Sequence, residues 1–289
     1  MGTLTLLSGQ ANALGVKSSS RLSPHLELCC LRLSATLSYE KTQTEIEVQT
    51  GRSVSLKTQQ RLVHRQHFRP SSVTQEVTQM SLDGGMIRLR TPQGQSCEWR
   101  EYKALNLPEV QQGMAYFKDN QALQEWANSL PLSELIDCLG DGHDGVWGVY
   151  ESIACPWQRH EILDWFHLME NLHRLPESDE HLQRLRALLW QGEVEHTIAR
   201  LNTIGSPEAL RFQGYLERHQ DRIPNYAYYQ AEGITIGSGD VESLVKQINA
   251  RTKIAGAAWD ANHIPQVLAH RCAYLNGMLS PEVYFLSRK

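Results

Sequence analysis

The chain has 289 residues, enough for one large domain or two smaller ones, and its 41% hydrophobic content supports a real core and excludes disorder throughout. No apolar run approaches the roughly 18 residues needed to span a bilayer. The N-terminus also lacks an apolar signal core followed by a small-residue cleavage site, so a soluble, cytoplasmic protein without a membrane partner is expected. The net charge of -4 hides a segregation: residues 1–70 carry nine Lys/Arg against four Asp/Glu, and residues 246–289 carry six against two. Basic ends on an acidic middle fit DNA-binding arms around a metal-binding centre, and equally an uneven surface without a role.

Residues 1–20 are rich in Ser, Gly and Ala without periodicity and read as a disordered leader. Leu22 to Arg65 reads as two or three helices. Pro24 suits a first helical turn, with Leu26, Cys29, Cys30 and Leu33 as an apolar stripe. Ser38 opens a second helix with Tyr39, Thr42, Ile46 and Gln49 facing inward, and Gly51 ends it. Ser53 or Ser55 opens a third, from Leu56 to His64. Helix, short glycine turn and a helix bearing Lys57, Gln59, Gln60, Arg61 and Arg65 is the layout of a helix-turn-helix. Gln and Arg suit base edges, and Lys and Arg suit phosphates. Small helical bundles that bind nothing share the layout.

Val77–Asp83, Met86–Arg90 and Cys97–Leu105 read as three short strands joined by Gly or Pro turns, an antiparallel meander. Asp83 then ends the first strand before Gly84-Gly85, where an Asp is also usual as a plain turn residue. Asp119 to Ser129 reads as a helix. Leu132 to Leu139 is an apolar run ending at Gly140-Asp141-Gly142-His143-Asp144-Gly145, where glycines let an acid approach a metal or phosphate closely. His160, Asp164, His167 and Glu170 have helical spacing reminiscent of a zinc site, without a convincing base. Leu182–Leu201 and Pro207–His219 read as packing helices. Tyr226, Tyr228 and Tyr229 are core aromatics or a stacking surface. None of the six cysteines is in C-x-x-C spacing, so no zinc ribbon or disulfide framework is indicated.

Gly237-Ser-Gly reads as a tight turn, with Ser238 or Asp240 capping the helix that follows. On that helix Val241, Leu244, Val245 and Ile248 share one face, while Glu242, Lys246 and Lys253 share another. A carboxylate beside two cations suits a divalent metal next to a phosphate backbone. An amphipathic helix with a solvated charged side reads the same way. Gly256-Ala-Ala-Trp259 breaks the pattern, and Ile264–Leu275, bearing His270 and Arg271, is a last helix.

Acids at a first strand end, a fourth strand end and a late helix would converge on one site: Asp83, Asp141 and Glu242. Two hard divalent cations, Mg²⁺ or Mn²⁺, would take such oxygen ligands. They would activate a water or a 3′-hydroxyl and stabilise the leaving oxygen of an in-line displacement, with no protein nucleophile.

The stretches Leu82-Asp-Gly-Gly-Met-Ile-Arg-Leu-Arg90, Leu139-Gly-Asp-Gly-His-Asp-Gly145, Ile162-Leu-Asp-Trp-Phe-His-Leu168 and Gly237-Ser-Gly-Asp-Val-Glu-Ser243 resemble bacterial insertion-sequence transposases of the ISKra type, related to the Mutator-like DDE transposases. The resemblance runs from about Leu26 to Gly277. It implies an α/β fold: an RNase H-like mixed sheet with an all-helical insertion, preceded by a small all-α helix-turn-helix. The implied division is a helix-turn-helix over 21–70, a catalytic core over 76–158, the insertion over 159–231, and the rest of the core with C-terminal helices over 232–289.

By the same resemblance Asp83, Asp141 and Glu242 are the catalytic acids and metal ligands of a Mg²⁺-dependent enzyme. It would cut and join transposon ends as a homodimer on DNA, meeting terminal inverted repeats and target DNA. Asp164 and His167 match the family's D-x-x-H element, which supports the DNA end or the active site. Lys246, Arg251 and Lys253 match a basic run that tracks the transposon end. Longer relatives carry more N-terminal sequence, so a truncated copy, and with it an inactive DNA-binding remnant or repressor, is the alternative expectation.

Overall fold

The computed structural model describes residues 7–13, 22–70 and 72–286. Most of the expected leader lies outside the described residues. Within it, Ser8–Ala13 forms a short helix, α1.

Three helices follow, each opened by a serine that accepts a backbone N–H left open in the first turn. Ser23 caps α2 (Pro24–Ser34), Ser38 caps α3 (Tyr39–Thr50) and Ser55 caps α4 (Leu56–Arg65). Gly51 ends α3 in the left-handed region, at φ 65°. Tyr39, Thr42 and Ile46 face inward as the periodicity predicts, but Gln49 is exposed. In α2 the deeply buried face is Leu28, Cys30 and Leu31, while Leu26, Cys29 and Leu33 are half-buried.

The sheet has five strands in the order β3-β2-β1-β4-β5. They are β1 (Val77–Leu89), β2 (Glu98–Leu107), β3 (Gln112–Tyr116), β4 (Leu132–Gly140) and β5 (Arg159–Leu163). The first three are antiparallel; β4 and β5 run parallel to β1. An antiparallel meander is present, but its segmentation differs from the expected one. Gly84-Gly85 makes no turn: β1 runs straight through it, with Gly84 opposite Lys103 and Gly85 opposite Tyr102. A Cβ on Gly85 would run into the Tyr102 ring. These glycines therefore serve close packing on a strand rather than chain reversal. The strand at 112–116 was not anticipated.

Between the strands lie α5 (Asn120–Asn128), capped by Asp119, and α6 (Asp144–Tyr150). After β5 come α7 (Trp165–Leu172), α8 (Asp179–Trp190), α9 (Val194–Ile204), α10 (Pro207–His219) and α11 (Tyr226–Ala231). The expected single helix over 182–201 is two, separated at Gly192, whose φ of 76° no helix tolerates. Tyr226 is a core residue, its hydroxyl donating to Leu163 O at 2.8 Å, while Tyr228 is exposed. The chain closes with α12 (Gly239–Thr252), α13 (Ile264–Leu275) and α14 (Pro281–Leu286).

Helices cover both faces of the sheet. Tyr102 and Lys103 are adjacent on β2 and so point to opposite faces. The Tyr102 hydroxyl donates to Asn249 Oδ1 of α12 at 3.0 Å. Lys103 Nζ would lie 3.3 Å from a Cβ on Gly145 of α6. Asp83 and Gly85 share the α12 face, because side chains two apart on a strand do. On the other face the Tyr150 hydroxyl of α6 bridges the sheet backbone, 2.8 Å from Leu139 O.

Residues 22–65 pack against the C-terminal helices through a cluster that includes Leu28, Leu31, Leu62, Leu279 and Tyr284. Arg271 donates to Ala35 O at 3.0 Å, and His270 shares its Nε2 with Leu31 O at 2.9 Å. Burial pushes His270 down to about 3, so it is neutral and donates to that carbonyl. Among the described residues no helix is long and apolar enough to cross a membrane.

Candidate active site

Asp83 lies inside β1, not at its end. Parallel pairing sets Leu82 opposite Gly140, so Asp141, the first residue past β4, stands level with Asp83 on the neighbouring strand. Glu242 comes from the first turn of α12, whose buried face of Val241, Leu244, Val245 and Ile248 packs on the sheet as the periodicity predicts.

Asp83 registers both other acids. Burial raises its pKa first of all; the Gly84 N–H and His167 oppose that rise, while the charges of Asp141 and Glu242 add to it. Two acids more than fifty residues away in sequence thus act on Asp83. Each has one oxygen engaged. Asp83 Oδ1 accepts Gly84 N–H at 2.6 Å, Asp141 Oδ1 accepts His143 N–H at 2.9 Å, and Glu242 Oε2 meets Lys246 Nζ at 3.1 Å. The second oxygen of each has no hydrogen-bond donor among the described residues. Hard, open oxygen donors around a carboxyl with raised proton affinity suit a divalent cation such as Mg²⁺ or Mn²⁺. Among the described residues, however, no group of three or more His, Cys, Asp or Glu side chains is placed so that it could hold a metal ion.

The loop after β4 is shaped by contact. A Cβ on Gly140 would meet Val146 Cγ1 at 2.6 Å, and one on Gly142 would collide with the Tyr215 hydroxyl of α10. The helical stretch therefore lies directly over the Asp141 loop. Tyr215 was not singled out from the sequence; the glycine at 142 is the only trace it leaves there. Burial, reinforced by Asp141, holds its phenol well above the usual range.

Asp164 and His167 do not lie on one helix with His160. His160 is on β5, hydrogen-bonded to Asp137 Oδ1 at 2.7 Å and to the Tyr229 hydroxyl at 2.5 Å. This overturns the zinc spacing, which assumed one continuous helix. Asp164 is fully buried and caps α7, accepting His167 N–H at 2.7 Å. Its other oxygen accepts the Ser238 hydroxyl at 2.7 Å and the Ser238 N–H. Ser238 therefore does not cap α12 with its side chain. It ties the start of α12, and so Glu242, to the end of β5. Gly237 and Gly239 do not adopt left-handed angles. Gly237 is needed for closeness, since a Cβ there would lie 2.7 Å from the Phe166 ring.

Burial alone would raise Asp164, but the His167 ring and the Ser238 and His167 donors outweigh it and hold the carboxyl below its ordinary value. His167 Nδ1 lies 3.2 Å from Asp164 Oδ1, and that carboxylate pushes the imidazole up to about 9 against the opposing effect of burial. His167 is therefore a cation at neutral pH, beside the acid group.

The expected DNA-contacting residues divide. Lys57, Arg61, Lys246 and Lys253 are exposed; Arg65 is exposed and 3.6 Å from Glu27; Gln60 is half-buried. Gln59 is buried, its amide donating to Val54 O at 2.9 Å, so it does not face a base edge. Arg251 is also buried, donating to Ser34 O at 2.6 Å, and does not form part of an exposed basic run. The sequence matches no known protein-family model and no curated protein.

Proposed function

We propose that this chain is a DDE-type DNA transposase that cuts and joins transposon ends on an RNase H-like sheet, with Asp83, Asp141 and Glu242 as its catalytic acids. What carries the reading is that two sequence-distant acids, Asp141 past the parallel neighbour strand and Glu242 on a helix across the same face, both act on the proton affinity of Asp83 in a central strand. The strand order, three antiparallel strands flanked by two parallel ones, supports the RNase H-like assignment. The described helices between β5 and α12 would form the insertion, which then begins after Leu163 rather than at residue 159, because Arg159–Leu163 is a strand of the sheet.

In this reading Asp83, Asp141 and Glu242 hold Mg²⁺ or Mn²⁺. Bound there, the cations supply activation of a water or 3′-hydroxyl and stabilisation of the leaving oxygen. The chain's own residues do the positioning. Asp164 fixes the first turn of α12 through Ser238. Charged His167 offsets part of the carboxylate repulsion and can face a phosphate. The partners are terminal inverted repeats and target DNA, met by a homodimer.

The test is cleavage of a terminal-repeat duplex with Mg²⁺. Asp83→Asn, Asp141→Asn and Glu242→Gln are each expected to lower the rate by about 10³-fold or more. Parent-like cutting by all three variants overturns the reading. A pre-cut 3′ end joined to target DNA separates a transposase from a simple nuclease. The exposed cations of α4 also suit a catalytically inactive DNA-binding remnant or repressor, which would bind the duplex and cut nothing under any metal.

A further inference from the structure

Between α4 and the segment after α12 lies a cleft of about 530 Å³. Lys57 and Arg61 line it from α4, Arg90 from the end of β1 and Arg251 from the last turn of α12; Asp260 is the sole acid among its described lining residues. Trp259 closes one side, held in place because its N–H donates to Arg88 O at 3.0 Å and its carbonyl accepts Arg90 N–H at 2.8 Å. His64 and His263 stack across the cleft with ring centroids 4.0 Å apart.

Arg251 stands out within this wall. It is 2% exposed, with its guanidinium between the Tyr39 ring at 5.0 Å and the Trp259 ring at 4.8 Å. No carboxylate pairs with it among the described residues, and the other buried guanidinium nearby, Arg271, repels it. Its Nη2 and the Tyr39 hydroxyl are both buried and act on each other, and neither has another aligned partner among the described residues. A buried cation with neither counter-ion nor full hydrogen bonding is rare, because desolvation then goes uncompensated. An anion in the cleft would supply what is missing.

We propose that this cleft binds the sugar-phosphate backbone of a polynucleotide, with a phosphate held between Arg251 and Tyr39 at the floor and Lys57, Arg61 and Arg90 along the rim. The three rim cations are exposed, and a lone small anion at the floor would leave them unmatched, whereas a run of successive phosphates would not. The proposal rests on the reading of DNA as the partner. It also moves the grip from the free face of a recognition helix to a cleft between that helix and the 254–263 segment.

The experiment measures anisotropy of a labelled duplex with the Asp83→Asn chain in a chelator, so that binding is read without cleavage. Lys57→Ala/Arg61→Ala/Arg90→Ala is expected to keep the parent's melting temperature, bind at least about tenfold more weakly, and show a shallower log affinity against log salt slope by roughly 2.7. Arg251→Lys, which keeps the buried charge but loses the planar fork, is expected to weaken binding as well. Unchanged affinity and salt slope in the triple variant would overturn the proposal. So would inorganic pyrophosphate protecting the fold through these residues while the duplex binds elsewhere. A parent chain that binds the duplex yet does not cut it with Mg²⁺ would count against the transposase reading alone.

Discussion

The two ends of α12 treat charge in opposite ways. At its first turn Glu242 is half-exposed and, with Asp141, raises the proton affinity of Asp83. At its last turn Arg251 is buried, stacked between two rings and bonded to a carbonyl, yet without a counter-ion among the described residues. Both ends carry charge that matters, but only at the second does the charged side chain of α12 itself hold the fold together. An acid cluster open to solvent can be neutralised without unfolding anything, whereas a buried guanidinium that joins α2, α3 and the 254–263 segment cannot be removed so simply.

The comparison is broken most severely at Arg251. Arg251→Ala removes the bond to Ser34 O and the packing between Tyr39 and Trp259, and is expected to lower stability by about 3 kcal/mol in urea denaturation. Asp164→Asn comes next, at about 2 kcal/mol, because two donors on Ser238 lose a charged acceptor. Its signature is in the pH profile. His167 is raised from 6.5 to about 9, so its pairing stabilises the fold fully below pH 6.5 and is lost as pH rises through about 9. Asp164 is lowered, so its share is present above 3.8 and lost as pH falls through its folded value. The variant is expected to flatten both limbs of the parent's stability curve.

Gly142→Ala is smaller, about 1.5 kcal/mol, since the Tyr215 ring must shift; Tyr215→Ala is expected to relieve part of it, seen as non-additivity in a double-mutant cycle. The smallest effect has the opposite sign. Asp83→Asn removes a carboxyl whose ionisation burial and two acids oppose, and is expected to stabilise the metal-free chain near neutral pH. That gain disappears as pH falls below 3.8, where Asp83 is protonated whether folded or not. Thermal melts in a chelator across pH would show it. Destabilisation there would mean that Asp83 is a structural anchor like Arg251.

Much of the helical content was legible because helices are local. Caps such as Ser23 and Ser38, the αL Gly51 and the buried stripe of α12 each involve residues within a turn or two of one another. The strand segmentation was less so. Gly84-Gly85 reads as a turn on local preference, and only the Tyr102 side chain from the next strand explains why the chain runs straight there. The break in the apparent helix from His160 to Glu170 has the same origin, since pairing of Ile136 to Gly140 with Arg159 to Leu163 outweighs the helical spacing.

For the site, the sequence by itself determined which acids are available, where glycines flank them, and which face of α12 turns inward, since composition and short-range periodicity fix these. The tertiary structure alone decided that Asp83 sits within a central strand, that Asp164 clamps Ser238, and that Gln59 and Arg251 are buried rather than presented. Those outcomes depend on which distant backbone or ring comes to lie beside each residue, and neighbours set by chain folding have no fixed spacing along the chain.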